Sequence, residues 1–171
     1  MEAKAKLLGH PIHQMVIVLP LGLLIAAWVA DLAFYFTGIA VLAEVAYWNT
    51  IGGIATGLFA AIFGFIDWLG IPVNTRAKSV GAWHASFNVL VLLLFAASLV
   101  IRNSISGHLP NTLSFSCATG GLLLGGVSGW LGGELVDRLG VGIDDGAHLN
   151  APSSLSGRPA TGAVSSIRKV V

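Results

Sequence analysis

The sequence predicts an all-α fold, a four-transmembrane-helix bundle, and two observations carry that prediction. Hydrophobic residues make up 55% of the 171 residues and charged residues only 10%, whereas soluble domains carry about 25% charged residues. Four apolar stretches also reach the length of about 20 residues that a helix needs to cross the hydrocarbon core of a bilayer. The lipid bilayer is therefore the expected environment of the chain.

The four predicted spans form a membrane domain, 11–136, between a short N-terminus, 1–10, and a tail, 137–171. They cover about 11–36, 45–69, 81–101 and 113–135. The first is longer than the apolar core of a signal peptide, and no small-residue cleavage site follows it, so we expect it to remain as a helix. The tail is rich in Gly, Ser, Pro and Ala without a sustained hydrophobic period, which predicts a flexible segment.

The basic residues predict the orientation of the bundle. Of the nine Lys and Arg residues, only Arg102 falls on the side of the membrane that is opposite both termini and the middle loop. Cytoplasmic segments of membrane proteins carry an excess of Lys and Arg, so we expect both termini to be cytoplasmic. The formal net charge of +1 provides no basic field for a nucleic acid, and no such partner is expected.

Two histidines and two carboxylates are expected at the cytoplasmic end of the bundle. His13 and His84 lie in the first turns of the first and third spans, and Asp67 and Glu134 lie in the last turns of the second and fourth. The positive end of a helix dipole disfavours a protonated histidine, and neutral imidazole is the form that binds metals. Asn88 lies one turn from His84 on the same helix face, where it is placed to orient the imidazole.

Four interpretations of these residues stay open. In the first, the histidines form hydrogen bonds that lock the bundle, and no ligand is needed. In the second, a transition metal is coordinated by a mixed set of nitrogen and oxygen ligands. That set is His10, His13, His84, Asp67 and Glu134. In the third, His13 and His84 hold a haem b axially, and in the fourth, His and Asp residues relay protons.

Glycines line one face of the fourth predicted span. Gly121, Gly125, Gly129 and Gly133 recur every four residues and therefore share a helix face. A face without side chains lets another backbone approach closely. Three uses stay open for this face: packing inside the bundle, a homodimer seam, and room for a flat cofactor such as haem.

Recurring features hint at two related helical hairpins. His13 and His84 occupy matching first turns, and Trp68-Leu69-Gly70 recurs as Trp130-Leu131-Gly132. Internal repeats of this kind are common in membrane bundles.

Asp31 is expected at the end of the bundle away from the histidines. At 1.5 Å per residue it lies about 27 Å along the helix from His13. One interpretation is a partly screened ion pair with Arg102, which would contribute at most about 1 kcal/mol. The other is an unpaired carboxylate that lipid headgroups and water solvate.

Several of these segments together resemble a known family. The start GHPIH followed by VLPLGLL and Asp31, the pair Trp83-His84 with Asn88, and the closing GWLGGELVDRLGVG are similar to the bacterial membrane family called domain of unknown function 2231. The resemblance covers about residues 8–143. It implies four spans and no assigned activity, while relatives joined to Rieske or c-type haem domains imply, by association, a place in electron transfer.

The chain departs from the pattern of that family at three positions. Members often carry a proline where Gln14 stands, a tyrosine where Asp137 stands and a histidine where Leu139 stands. These departures fall in the segments that would surround the cytoplasmic site.

The expected function is redox or electron-transfer work in a bacterial inner membrane. A histidine-lined site at the cytoplasmic face would bind haem b or a transition metal, and membrane redox proteins would be the partners. The alternative is a non-catalytic structural or assembly subunit without a bound cofactor. No nucleophile and base stand together in a recognisable catalytic motif, so the sequence leaves open whether the protein is an enzyme.

Overall fold

The structure, a computed structural model, describes residues 1–162. The end of the predicted tail, 163–171, lies outside the described residues. The described part is an all-α bundle, as the sequence predicts, and it follows a small β-hairpin that the sequence does not predict. Its elements are β1 (Lys6–Leu7), β2 (His10–Pro11), α1 (Ile12–Val16), α2 (Val18–Thr37), α3 (Ala40–Leu69), α4 (Arg76–Asn103) and α5 (Thr112–Gly133), with 3₁₀ turns at Ser106–His108 and Ser154–Ser156 and a π-helical turn at Glu134–Arg138.

Three helical segments of the described chain are long and apolar enough to cross a membrane. They are Ile12–Thr37, Ala40–Leu69 and Arg76–Asn103. The fourth long helix, α5, is not among them because glycine, serine and threonine residues lower its hydropathy. The membrane character is therefore shown by several helices, and the count of four spans stays a prediction.

Local sequence signals explain where the helices begin and end. The Thr75 hydroxyl caps α4 by accepting from the Lys78 backbone N–H. Asn111 and Ser114 form a reciprocal capping box at the start of α5, which satisfies backbone groups that a helix terminus leaves free. Gly38 ends α2 at φ +69°, a left-handed conformation that glycine adopts without steric cost.

The long helices pack as two antiparallel hairpins, α2 with α3 and α4 with α5. Buried positions recur at the same spacing in both hairpins. The matching positions of α2 and α4 differ by 71 in residue number: Pro20, Leu24, Ala27 and Asp31 match Val91, Phe95, Ser98 and Arg102. Those of α3 and α5 differ by 68: Ala46, Thr50, Gly53 and Ala60 match Ser114, Ala118, Gly121 and Ser128. Matching burial of this kind is what two related hairpins would show.

Glycine notches bring the helices of each hairpin together. A Cβ atom at Gly53 would lie 2.5 Å from the Leu24 side chain, and one at Gly121 would lie 2.9 Å from the Phe95 ring. Gly121 therefore packs inside the bundle. In contrast, a Cβ atom at Gly125, Gly129 or Gly133 would meet nothing within 4 Å, so the glycine face that the sequence predicts is divided between two environments.

The end of the bundle opposite the histidines, called the arginine end here, is organised by Arg102. Its Nη1 donates to Asp31 Oδ2 at 2.7 Å, its Nη2 to the Ala43 carbonyl and its Nε to the His108 carbonyl, each at 2.8 Å. Of the two interpretations of Asp31, the ion pair with Arg102 is confirmed, and the unpaired carboxylate is wrong. The expectation that the pair is partly screened is wrong, because helix packing leaves only 3% and 1% of the two side chains exposed.

The first residues after the bundle return to the N-terminal segment. The Met1 ammonium group donates to the Gly140 carbonyl at 3.0 Å, and the Gly142 N–H donates to the Met1 carbonyl at 2.9 Å. The Lys6 ammonium group contacts both Glu2 and Asp144. These contacts form a clamp at the histidine end, and the flexibility of the tail stays a prediction.

Candidate histidine site

His13 lies in α1, where a backbone carbonyl of α3 fixes its ring. Its Nδ1 is 2.9 Å from the Ala60 carbonyl oxygen. A Cβ atom at Gly64, one turn further along α3, would lie 2.9 Å from the ring. The imidazole therefore fills a notch that only glycine leaves open.

His84 repeats this arrangement in the second hairpin. Its Nδ1 is 2.8 Å from the Ser128 carbonyl oxygen on α5, and a Cβ atom at Gly132 would lie 3.2 Å from the ring. The carbonyl and the glycine are again one helical turn apart. Both histidines thus use a carbonyl and a glycine of the neighbouring helix in the same hairpin.

The two imidazoles meet between the hairpins. Their ring centroids are 6.4 Å apart, and the ring planes are nearly perpendicular at 89°. Since a carbonyl oxygen only accepts hydrogen bonds, each Nδ1 carries the proton in this arrangement. In the neutral form of each ring, the lone pair then lies on Nε2.

Asn88 gives the two histidines different hydrogen-bonding environments. Its Nδ2 lies 3.0 Å from His84 Nε2 and donates to the His84 carbonyl at 3.0 Å. Ile17 occupies the matching position one turn after His13, and it has no polar side-chain atom. Among residues 1–162, the His13 side chain has no hydrogen bond beyond the one to Ala60, so His13 Nε2 has no hydrogen-bond partner there, whereas His84 Nε2 has Asn88.

The other residues of the expected metal set lie in separate environments. His10 is exposed on the β-hairpin formed by β1 and β2, and its Nε2 lies 3.3 Å from the Ser154 hydroxyl. Asp67 Oδ1 accepts from the backbone N–H groups of Lys4 and Ala5 at 2.6 and 3.0 Å.

Glu134 pairs with Arg76 at 2.6 Å. The negative charges of Asp67 and Glu134 are therefore stabilised by these partners without a metal ion. Within the described chain, no three His, Cys, Asp or Glu residues are placed to hold one metal ion.

The backbone partners of the histidines were missed by reasoning from the sequence. Carbonyl acceptors carry no residue-type signal, since every residue has one. The recurrence of a small residue four positions before a glycine, as in Ala60 with Gly64 and Ser128 with Gly132, was the signal available. That recurrence identifies the histidine partners only when the register between the paired helices is known.

The geometry of the pair suits ligation by two imidazoles. Ligating histidines commonly donate their second N–H to a backbone carbonyl, which fixes the tautomer and the ring orientation.

The apolar helices and their packing define an integral membrane protein with a helical bundle. The chain belongs to the family of predicted membrane proteins designated DUF2231, which matches residues 9–145. No curated protein and no solved structure matches the chain.

Proposed function

We propose that this protein binds haem b or a transition-metal ion between His13 and His84 and takes part in redox or electron-transfer reactions. The observation that carries the proposal is the matched pair of imidazoles, 6.4 Å apart, with each Nδ1 held by a carbonyl oxygen. Pre-oriented imidazoles lose little freedom on binding an ion, which favours ligation.

The number of protein ligands favours haem within this proposal. A haem supplies four nitrogen ligands itself and needs only two axial imidazoles from the protein. A zinc ion in a structural site needs about four protein ligands, and His10, Asp67 and Glu134 would have to leave their present partners to provide them. His13 and His84 would be the axial ligands, and Asn88 would have to release His84 Nε2.

The setting that we propose is a bacterial inner membrane, which four spans cross, with both termini in the cytoplasm. The support is the lopsided distribution of Lys and Arg and the position of α5 alongside three apolar helices. The histidine pair would then lie near the cytoplasmic face. Other membrane redox proteins are the proposed electron donors or acceptors.

The test is a spectrum and a metal analysis of the full chain, purified in mild detergent from cells supplied with haem precursor and iron. Haem bound by both histidines gives a Soret band and sharp reduced α and β bands, and His13→Ala or His84→Ala removes them. His10→Ala is the matched control, because His10 is an exposed histidine of the same segment. A preparation without colour and without stoichiometric metal contradicts the proposal.

A structural or assembly subunit is the second candidate, and one observation favours it. Both ring nitrogens of His84 already have partners, the Ser128 carbonyl and the Asn88 amide, so this imidazole is satisfied without a ligand. In that case the histidines lock the two hairpins together. Replacing His84 would then lower the free energy of unfolding and change no spectrum.

A further inference from the structure

We propose that α5 carries a self-association surface and that a second copy of this chain packs against it. The surface, called the glycine surface, consists of Gly126, Gly129 and Gly133. It does not depend on a ligand at the histidine pair, and it therefore goes beyond the proposed function.

The glycine surface is exposed in the described chain. Gly126, Gly129 and Gly133 are all open to the surroundings of the bundle, and a Cβ atom at any of them would meet nothing within 4 Å. Packing within the bundle therefore does not require glycine at these positions. It does require glycine at Gly121, where a Cβ atom would lie 2.9 Å from the Phe95 ring, and it leaves little room at Gly132, where one would lie 3.2 Å from His84.

The other hairpin provides an internal comparison for this surface. Gly53 and Gly64 on α3 receive Leu24 and His13 just as Gly121 and Gly132 on α5 receive Phe95 and His84, which sets the register between α3 and α5. In that register, the glycine surface corresponds to Leu58, Ala61 and Phe65.

Leu58 and Phe65 are 57% and 58% exposed, as large apolar side chains in contact with lipid would be. The same environment on α5 carries three glycines, and glycine weakens a helix by about 1 kcal/mol relative to alanine. Small residues on a membrane helix allow another helix to approach closely, and packing contacts are a main force between helices in lipid. The contrast between the two hairpins therefore indicates a helix as the partner of α5.

Two exposed charges at the end of the glycine surface favour α5 of a second copy as that helix. Asp137 and Arg138 line a pocket of about 210 Å³ together with Trp130, Gly133 and Glu134. Within residues 1–162, neither Asp137 nor Arg138 forms an ion pair. They are neighbours of opposite charge, which makes this end of the surface self-complementary.

Copies in one membrane share one orientation, so a twofold axis beside α5 runs along the membrane normal and brings two α5 helices together in parallel. A twofold interface uses the same patch on both copies. Arg138 of each copy then faces Asp137 of the other, and the two glycine surfaces cross near Gly129. The occupant that satisfies both the small residues and the charges is thus a second copy of this chain.

Cysteine cross-linking tests the surface in the full chain. In a Cys117→Ser background, Gly129→Cys is compared with Ala61→Cys, the corresponding position on α3, in proteoliposomes treated with a mild oxidant. We expect a disulfide-linked dimer for Gly129→Cys and only the background level for Ala61→Cys. Equal cross-linking of the two variants, or none at Gly129→Cys, overturns the proposal.

Two further variant series separate the contact from folding. Gly129→Leu places its side chain in open space, so the monomer still folds while the fraction of dimer falls, and Ala61→Leu leaves that fraction unchanged. Asp137→Arg and Arg138→Asp each lower the dimer fraction, and the double exchange restores it. Dimer fractions are measured by energy transfer between labelled copies in vesicles, and unchanged energy transfer in Gly129→Leu contradicts the proposal.

Discussion

Arg102 donates to Asp31 across 2.7 Å inside the bundle, and the same guanidinium group also holds a carbonyl at the start of α3 and one in the loop before α5. Four segments of the arginine end therefore depend on one side chain. Removing one partner of a buried ion pair leaves an uncompensated charge, which typically costs about 3–5 kcal/mol.

We accordingly expect Arg102→Met to lower the free energy of unfolding by several kcal/mol. Asp31→Leu combined with Arg102→Met should recover part of that loss, since apolar replacement of both partners is often tolerated. Thermal unfolding in detergent measures both effects. An Arg102→Met variant as stable as the unmodified protein would show that the pair is dispensable.

Gly64 is expected to be required for the position of His13. Alanine in a helix interior ordinarily stabilises by up to about 1 kcal/mol relative to glycine, and Gly22→Ala, which meets nothing within 4 Å, should show that gain. Gly64→Ala should be less stable than Gly22→Ala by about 1–2 kcal/mol, because the ring must move and the bond to Ala60 is lost. Equal stability of the two variants in thermal unfolding would contradict this placement.

The stability of the clamp should depend on pH through two of its contacts, the ion pairs of Lys6 with Glu2 and Asp144. Hydrogen bonds from Lys6 to Asp144 and Glu2 raise the pKa of Lys6 above its ordinary 10.5, so its contribution is present below pH 10.5 and is lost as the pH rises through the higher folded value. The hydrogen bond from Lys6 lowers the pKa of Glu2 below its ordinary 4.5. The contribution of Glu2 is therefore present above pH 4.5 and is lost as the pH falls through the lower folded value.

Proteolysis of the segment around residues 140–144 reports the state of the clamp. We expect protection between about pH 4.5 and pH 10.5, and loss of that protection in Lys6→Met at every pH in this window. If Lys6→Met is cleaved no faster than the unmodified chain, the ion pairs do not hold the clamp.

The proposed orientation can be checked by labelling single cysteines in intact cells. In a Cys117→Ser background, Ser79→Cys should react with a membrane-impermeant reagent only from the cytoplasmic side. Ser106→Cys should react only from the outside. The reverse pattern would place the histidine pair at the outer face and would contradict the orientation drawn from Lys and Arg.

The length and composition of the apolar stretches sufficed to predict the helices, because burial in lipid needs no knowledge of the partners of each helix. The predicted span 81–101 lies within α4, Arg76–Asn103. The positions of Asp31 and Arg102 near one end allowed their pairing, but the sequence left an unpaired Asp31 equally open. The environment of Asp67 could not be predicted, since its partners are backbone N–H groups of the N-terminal segment. The division of the glycine face also depends on the rotation of α5, which hydropathy alone does not determine.

The pairing of the histidines across two hairpins is the central claim, and a titration of the purified chain in detergent tests it most directly. Haem is added to the ligand-free protein, and the Soret absorbance is followed to its end point. We predict saturation at one haem per chain, the same end point for His10→Ala, and no saturable binding for His13→Ala or His84→Ala. Saturation that persists in His13→Ala and His84→Ala, or no saturable binding by the unmodified chain to either haem or a transition-metal ion, would contradict the account.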